Sequence, residues 1–298
     1  MFYDCFKLTK IVIPDSVKTI EDFAFGECYR LSDVKFGSNV ESIGAWAFDK
    51  NIRLESISLS HKLVSIGEGA FAGCKILQSV TMGDSVKSVG TQAFSGCEKL
   101  KEFNTSLATA DKRGLIIDGE LKGFAPADIT EFAIPDNVTA IGAYVFYECK
   151  NLAGVTIPSS VRTIGELAFC MTGLNNVTIP HSVTTIGSSA FATCNSLASV
   201  TLENGVTTIC EKAFYGCSKL TEVSLPVSIE SIQSSAFSDC SALKSVYSHS
   251  QTPPAAGNNI FNRNAADRKI YVHPLAVESY QTASGWSKYA SSIEGKVF

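Results

Sequence analysis

The chain has 298 residues, of which 45% are apolar and 18% are charged, and its net charge at pH 7 is −4. This apolar content can fill a sizeable core, so the composition excludes intrinsic disorder. The acidic balance, with 25 Lys and Arg against 29 Asp and Glu, argues against nucleic-acid binding, which usually requires a basic patch. No run of 18 apolar residues occurs, so the sequence predicts no membrane span.

A pair of residues ending in Phe recurs every 22 or 23 residues, except for a gap of 52 residues between Phe94 and Phe146. The pairs are Ala24-Phe25, Ala47-Phe48, Ala70-Phe71, Ala93-Phe94, Val145-Phe146, Ala168-Phe169, Ala190-Phe191, Ala213-Phe214 and Ala236-Phe237. Aligning them gives the template L-x-x-V-x-I-P-x-S-V-x-x-I-G-x-x-A-F-x-x-C-x-x. Its copies start at Leu8, Leu31, Leu54, Leu77, Ile129, Leu152, Leu174, Leu197 and Leu220.

Each copy is predicted to form one coil of a solenoid. The segment L-x-x-V-x-I alternates apolar and polar residues, which indicates a strand, and the following Pro ends it. The second apolar pair turns the chain back, and the Ala-Phe segment is a short helical or irregular turn whose Phe fills the coil. Such a unit cannot bury its own apolar face, so the coils must stack, with their strands in a parallel sheet spaced by about 4.8 Å.

The chain begins part-way through a coil, because residues 2–8 match residues 146–152, the tail of a repeat. We therefore expect Met1 to open mid-coil and a further segment to precede it.

Residues 100–128 break the period. Asp118-Gly119 lies between two apolar runs, which predicts a β-hairpin. We expect an irregular coil that interrupts a solenoid domain of residues 1–247. Two roles stay open for it: an insertion that simply packs, and a dedicated binding loop.

The last residues are aperiodic and rich in bulky side chains. We predict that residues 248–298 form a C-terminal capping segment, with a helix from about Pro274 to Tyr280, because a solenoid needs an atypical unit over its open end.

Eight of the ten cysteines lie three residues after the repeat Phe, and Asn51 holds this place in another coil. They are Cys5, Cys28, Cys74, Cys97, Cys149, Cys194, Cys217 and Cys240. Stacking would place them in a ladder of buried thiols, with disulfides between adjacent coils as the main exception. No C-x-x-C pair occurs, so zinc is not expected.

No catalytic motif is present, and we predict neither an enzyme nor a cofactor. The four histidines are scattered, and His61 and His181 fall at turns. No Walker, G-x-S-x-G or H-E-x-x-H pattern occurs.

The third and fifth positions of each strand should face solvent, because the fourth and sixth face the core. These positions hold mostly small polar residues. These residues could simply suit an exposed sheet, or they could form a broad, shallow binding surface. The residues predicted to contact a partner are Lys10, Lys35, Glu102, Glu131 and Tyr247 on this face, with Asp118 and Gly119 in the hairpin.

The repeat unit resembles the BspA-type leucine-rich repeat of bacterial surface proteins over residues 2–247, and the ending Ile270–Trp286 resembles the segment often appended to such arrays. The resemblance implies a right-handed coil stack and a secreted or cell-surface location. It also implies adhesion to host matrix proteins or to other cell-surface proteins. A carbohydrate-binding surface protein is the alternative, and it would require clustered exposed aromatic residues, of which the strand face clearly offers only Tyr247.

Overall fold

The computed structural model describes residues 2–298, and the chain divides into two compact units. The first comprises Met1–Ile129 with Ile141–Cys149, and the second comprises Thr130–Ala140 with Lys150–Phe298. Met1, where the sequence predicts a mid-coil start, lies outside the described residues.

The strands up to residue 129 are short and follow the repeat. They are β1 (Lys10–Val12), β2 (Thr19–Ile20), β3 (Asp33–Lys35), β4 (Ser42–Ile43), β5 (Ser56–Ser58), β6 (Ser65–Ile66), β7 (Ser79–Thr81), β8 (Ser88–Val89), β9 (Glu102–Asn104), β10 (Gly114–Ile117) and β11 (Glu120–Phe124).

The same pattern continues after residue 129. The strands are β12 (Glu131–Ala133), β13 (Ala140–Ile141), β14 (Gly154–Thr156), β15 (Thr163–Ile164), β16 (Asn176–Ile179), β17 (Thr185–Ile186), β18 (Ser199–Leu202), β19 (Thr208–Ile209), β20 (Glu222–Leu225), β21 (Ser231–Ile232), β22 (Ser245–Ser248), β23 (Ala255–Ala256), β24 (Lys269–Val272) and β25 (Ile293–Gly295).

Each regular coil contains two strands, which confirms the predicted parallel stacking and adds a second sheet. The longer strands pair in parallel at the repeat spacing, as β5 does with β7 and β7 with β9. The two-residue strands form their own parallel ladders, β2-β4-β6-β8 in the first unit and β15-β17-β19-β21-β23 in the second. The sequence predicted only a reversal at this second apolar pair, because two residues carry too little periodicity to indicate a strand.

The Ala-Phe segment is an irregular turn. Trp46 directly precedes Ala47-Phe48, and Lys50 lies two residues after Phe48. Their φ angles, 56° and 54°, are in the left-handed region. The backbone N–H groups of Trp46, Phe48 and Lys50 donate to carbonyls of the following coil, each at 2.7 Å. This regular hydrogen bonding between coils satisfies the turn backbone without a helix.

The repeat Phe rings form a buried stack in each unit, as the template predicts. Their planes are nearly parallel, with centroids about one coil spacing apart. The stacked pairs include Phe25–Phe48 at 5.2 Å, Phe48–Phe71 at 5.3 Å and Phe71–Phe94 at 5.7 Å in the first unit, and Phe169–Phe191 at 4.9 Å, Phe191–Phe214 at 5.2 Å and Phe214–Phe237 at 5.1 Å in the second.

Six of the ladder cysteines join their coil to the preceding one, whereas Cys149 Sγ donates to the carbonyl of Tyr147 in its own coil at 3.9 Å. Cys97 Sγ donates to the carbonyl oxygen of Phe71 at 3.2 Å, and Cys240 Sγ donates to that of Phe214 at 3.1 Å. Asn51 Nδ2 makes the same contact with the carbonyl of Phe25 at 2.9 Å. The eight ladder cysteines are thiols, and all except Cys5 are buried.

Residues 100–128 contain the predicted hairpin. β10 and β11 pair antiparallel, and they are joined by Asp118 and Gly119 with φ angles of 49° and 78°. Two successive left-handed residues form the tight turn that Asp-Gly favours. Within the first unit, an added Cβ at Gly123 would lie 3.3 Å from Phe103 Cζ and 3.5 Å from Phe94 Cδ2, so the hairpin packs closely on the core.

The end of the chain, in the second unit, contains helical segments. A 3-10 turn (Pro274–Ala276) leads into helix α1 (Val277–Thr282), and a second 3-10 segment covers Ser287–Ser292. The Trp286 and Tyr289 rings pack on Phe261 with centroids 6.0 and 5.8 Å away. Phe261 itself stacks on Phe237 at 5.6 Å, so the Phe stack extends past residue 247. The domain boundary between residues 247 and 248 stays a prediction.

Candidate interaction surfaces

The long strands present an exposed face in both units. In β5 the side chains of Ser56 and Ser58 are exposed while that of Ile57 is buried, and β16 alternates in the same way. We call this face the strand face and define it by the third and fifth template positions, where short hydroxyl side chains are the commonest type. They leave the sheet surface accessible to a partner.

Three predicted contact residues lie on the strand face of the first unit. Lys10 Nζ lies 3.6 Å from Asp33 Oδ2, one coil further on. Lys35 is exposed on β3, opposite Val12. Glu102 accepts a hydrogen bond from Asn104 Nδ2 at 3.0 Å and lies 3.5 Å from Lys112 Nζ. The Asn104 hydrogen bond, and then the Lys112 charge, lower the pKa of Glu102.

The other four predicted residues lie elsewhere. Asp118 is exposed at the hairpin tip beside Gly119, on an element other than the long strands. Glu131 is exposed on β12 and Tyr247 is half-buried on β22, both in the second unit. The seven residues are therefore spread over the strand faces of two units and one hairpin.

Ion pairs between equivalent positions of successive coils balance the surface charge. Lys18 pairs with Glu41 at 3.3 Å, Lys75 pairs with Glu98 at 3.6 Å, and Arg263 pairs with Asp239 at 2.6 Å. Stacking would otherwise place like charges side by side, so alternation removes a repulsion. Exposed pairs of this kind contribute little stability, and their main effect is a nearly neutral surface.

An aromatic cluster that no sequence pattern indicated surrounds Tyr247. Its ring stacks on that of Tyr271 at 5.2 Å, because β22 and β24 pair in register there. Lys296 Nζ lies 4.7 Å from the Tyr247 centroid. The Phe298 ring contacts Tyr247 at 6.3 Å and His249 at 4.4 Å. Tyr271 and Phe298 belong to the aperiodic end, so no repeat position indicated them.

A groove of about 590 Å³ lies next to this cluster, within the second unit. Its lining includes His181, Glu203, Asn204, Ser224, Val227 and His249. Glu203 Oε2 accepts a hydrogen bond from the backbone N–H of His181 at 2.9 Å and lies 3.3 Å from His181 Nδ1. Ser224 Oγ lies 2.8 Å from His249 Nε2. Successive coils supply these side chains where the long strands end.

The groove does not assemble a catalytic triad. Ser224 and His249 form a hydrogen-bonded pair, but a triad also needs a group that orients the imidazole. Within residues 2–298 the carboxylate of the groove, Glu203, pairs with His181, and no carboxylate hydrogen bonds to His249. His61, the other predicted turn histidine, is also exposed.

The buried thiols are not activated as nucleophiles. Burial raises the pKa of Cys97 and Cys149 to about 12 and that of Cys194 to about 11. A nucleophilic cysteine needs the opposite shift, since the thiolate is the reactive form. In the described part of the chain, no three His, Cys, Asp or Glu side chains are grouped to hold a metal ion.

The sequence model of the BspA type leucine rich repeat region matches residues 1–111 and 120–266 in six copies. The chain belongs to the BspA-type leucine-rich repeat family. The gap between the two matched ranges, residues 112–119, includes β10 and the hairpin turn, where the structure departs from the repeat, and residues 267–298 are also unmatched. No curated protein matches the chain. Among residues 2–298 no helix is both long and apolar enough to cross a membrane.

Solved structures of bacterial leucine-rich repeat proteins share the fold. One from Bacteroides ovatus is 27% identical, with a TM-score of 0.55 over 98% of this chain and 84% of that chain. One from Eubacterium ventriosum is 24% identical, with a TM-score of 0.69 over 93% and 71% of the two chains. A leucine rich cell surface protein from Faecalibacterium prausnitzii is 19% identical, with a TM-score of 0.52 over 97% and 83%.

Proposed function

We propose that this chain is a non-enzymatic interaction module of the bacterial cell surface, anchored or secreted, that binds host matrix proteins or other cell-surface proteins. The observation that carries the proposal is the strand face, where exposed short polar side chains repeat on successive parallel strands in each unit. Repeat proteins bind partners through such extended surfaces. The family, and the cell-surface protein among the similar structures, support the location.

The chemistry of the strand face determines how strongly it can bind. Binding hot spots are usually aromatic or Arg side chains in desolvated pockets, and the exposed strand positions are mainly Ser and Thr. A single copy therefore binds with modest affinity. Many copies on one cell surface strengthen attachment, because each bound copy raises the effective concentration of the next.

Surface plasmon resonance on immobilised fibronectin, laminin and collagen tests the proposal. We expect saturable binding to at least one of these proteins, with fast dissociation for the monomeric chain and slow dissociation for the chain displayed on beads. Absence of binding by both forms to all three proteins would contradict the matrix-binding proposal. Turnover of a substrate would contradict the non-enzymatic assignment.

The hairpin needs its own variant, since it could be a binding loop or only packing. Replacing Asp118 by Ser keeps a residue suited to a turn while removing the charge at the tip. Reduced binding with unchanged thermal unfolding would assign the tip to the interface. Unchanged binding would indicate that the hairpin tip takes no part in binding and that the hairpin serves only for packing.

A further inference from the structure

We propose that the groove beside the Tyr247 cluster is a binding site for a neutral glycan. The site lies where the long strands of the second unit end, and its lining includes His181, Glu203, Asn204, Ser224, Val227 and His249. It shares Ser224 with the strand face of the proposed function, but its other lining residues lie outside the third and fifth template positions, so each surface can fail independently.

The groove and the Phe298 ring beside it together offer the two surfaces that a sugar ring requires. Val227 is 60% exposed and Phe298 is 50% exposed, and the Phe298 ring packs against His249. These apolar surfaces can cover the C–H face of a pyranose. The Glu203 carboxylate, the Asn204 amide and the His181 imidazole offer acceptors and donors to ring hydroxyls.

The polar groups are already held in position. The His181 backbone N–H fixes the Glu203 carboxylate at 2.9 Å, and Ser224 Oγ holds the His249 ring at 2.8 Å. Positioning these side chains before binding reduces the entropy cost of association. The remaining lone pairs of Glu203 favour a ligand that donates hydrogen bonds, as hydroxyl groups do.

The size and charge of the groove select the ligand class. A groove of about 590 Å³ has the size of a small-molecule site, whereas a stable protein interface buries about 800 Å² on each partner. Glu203 is the one carboxylate among the lining residues, so it repels an acidic sugar. A neutral hexose or N-acetylhexosamine unit fits both the volume of the groove and the negative charge of Glu203.

The test titrates the full chain with maltose, lactose, chitobiose and glucuronic acid, using calorimetry and saturation-transfer NMR. We expect saturable binding of at least one neutral disaccharide and weaker binding of glucuronic acid. His181→Ala and Phe298→Ala should each weaken binding about tenfold or more, because each removes a direct contact.

Two matched variants separate the groove from general surface effects. His61→Ala removes an exposed histidine at the same template position in the first unit, and Phe6→Ala removes a phenylalanine that is 59% exposed. Neither should change sugar binding. No saturable binding of the three neutral disaccharides, equal losses in test and control variants, or preferential binding of glucuronic acid would overturn the proposal. Matrix-protein binding by His181→Ala shows separately whether the strand face works.

Discussion

The Asn51 amide nitrogen lies 2.9 Å from the carbonyl oxygen of Phe25, where the equivalent donors of six other coils are cysteine thiols. Cys74 Sγ, for example, contacts the Phe48 carbonyl at 3.3 Å. The amide is the better donor, but it adds a second polar atom to the core. Asn51 Oδ1 is buried and, within residues 2–298, has no hydrogen-bond partner. Cysteine satisfies the same carbonyl without that cost.

Two substitutions of Asn51 should therefore change the free energy of unfolding by different amounts. Asn51→Ala leaves the Phe25 carbonyl unsatisfied and should lower the free energy of unfolding by about 1–3 kcal/mol. Asn51→Cys restores a donor and removes the unpaired oxygen, so it should be within about 1 kcal/mol of wild type. Urea unfolding measures both. Equal destabilisation by both substitutions would contradict a ladder based on one shared hydrogen bond.

The Phe stack should dominate the stability of the first unit. Phe71 is fully buried between two parallel rings, so Phe71→Ala should lower the free energy of unfolding by about 3–5 kcal/mol through the cavity it leaves. Phe6→Ala removes the same side chain from a position that is 59% exposed, and it should have a small effect. Similar shifts of the urea midpoint in both variants would show that burial in the stack is not the cause.

Two glycines with positive φ should differ in their tolerance of a methyl group. Gly69 has φ +57°, and an added Cβ would overlap the Trp46 indole at 2.3 Å, whereas at Gly73, with φ +68°, the nearest atom is Lys50 Cγ at 3.2 Å. Both substitutions by Ala carry a left-handed backbone cost of about 1 kcal/mol. Only Gly69→Ala adds a collision, so it should lower the melting temperature more than Gly73→Ala. A reversed order would contradict the packing of Trp46.

The thiol ladder predicts a loss of stability at alkaline pH. Burial raises the pKa of Cys97 from its ordinary value of 9.0 to about 12. The folded chain thus keeps a proton that the unfolded chain loses, so this contribution is full below pH 9.0 and is lost as pH rises towards about 12. By pH 10 the loss from this one thiol should be about 1 kcal/mol.

Cys97→Ser removes this ionisation and keeps a donor for the Phe71 carbonyl. Comparing urea midpoints at about pH 7.5 and pH 10, we expect a smaller decrease for the variant than for wild type. An identical decrease would indicate that Cys97 is accessible to hydroxide or that other groups control the transition.

The sequence predicted the repeat features because each is repeated in register. Nine aligned copies identified the core Phe, the long strand and the cysteine position, which Asn51 holds in another coil. The second strand escaped prediction because two residues cannot reveal a period of two. The left-handed residues were also missed, since Trp46, Lys50 and other non-glycine residues adopt a conformation for which glycine is the usual signal.

The candidate site was predicted only in part. The outward positions of the long strands follow from alternation, which placed Lys35 and Glu131 on exposed faces. The aromatic cluster depends on β24 and β25, whose pairing lies in the aperiodic end. The groove did have a signal: Glu203 and His249 occupy the template position that Pro holds in several other coils. Comparing that position across the copies would have identified both residues.

The central claim, that the strand face binds a protein partner, is tested most directly by one matched pair of charge reversals. Lys35 lies on the strand face, and Lys87 is exposed just before β8 in the sheet of short strands, both in the first unit. Lys35→Glu and Lys87→Glu change the net charge equally, so non-specific attraction cancels in the comparison. We predict that the dissociation constant for an immobilised matrix protein rises about fivefold or more for Lys35→Glu and stays within about twofold of wild type for Lys87→Glu. Equal dissociation constants for the two variants would contradict binding through the strand face.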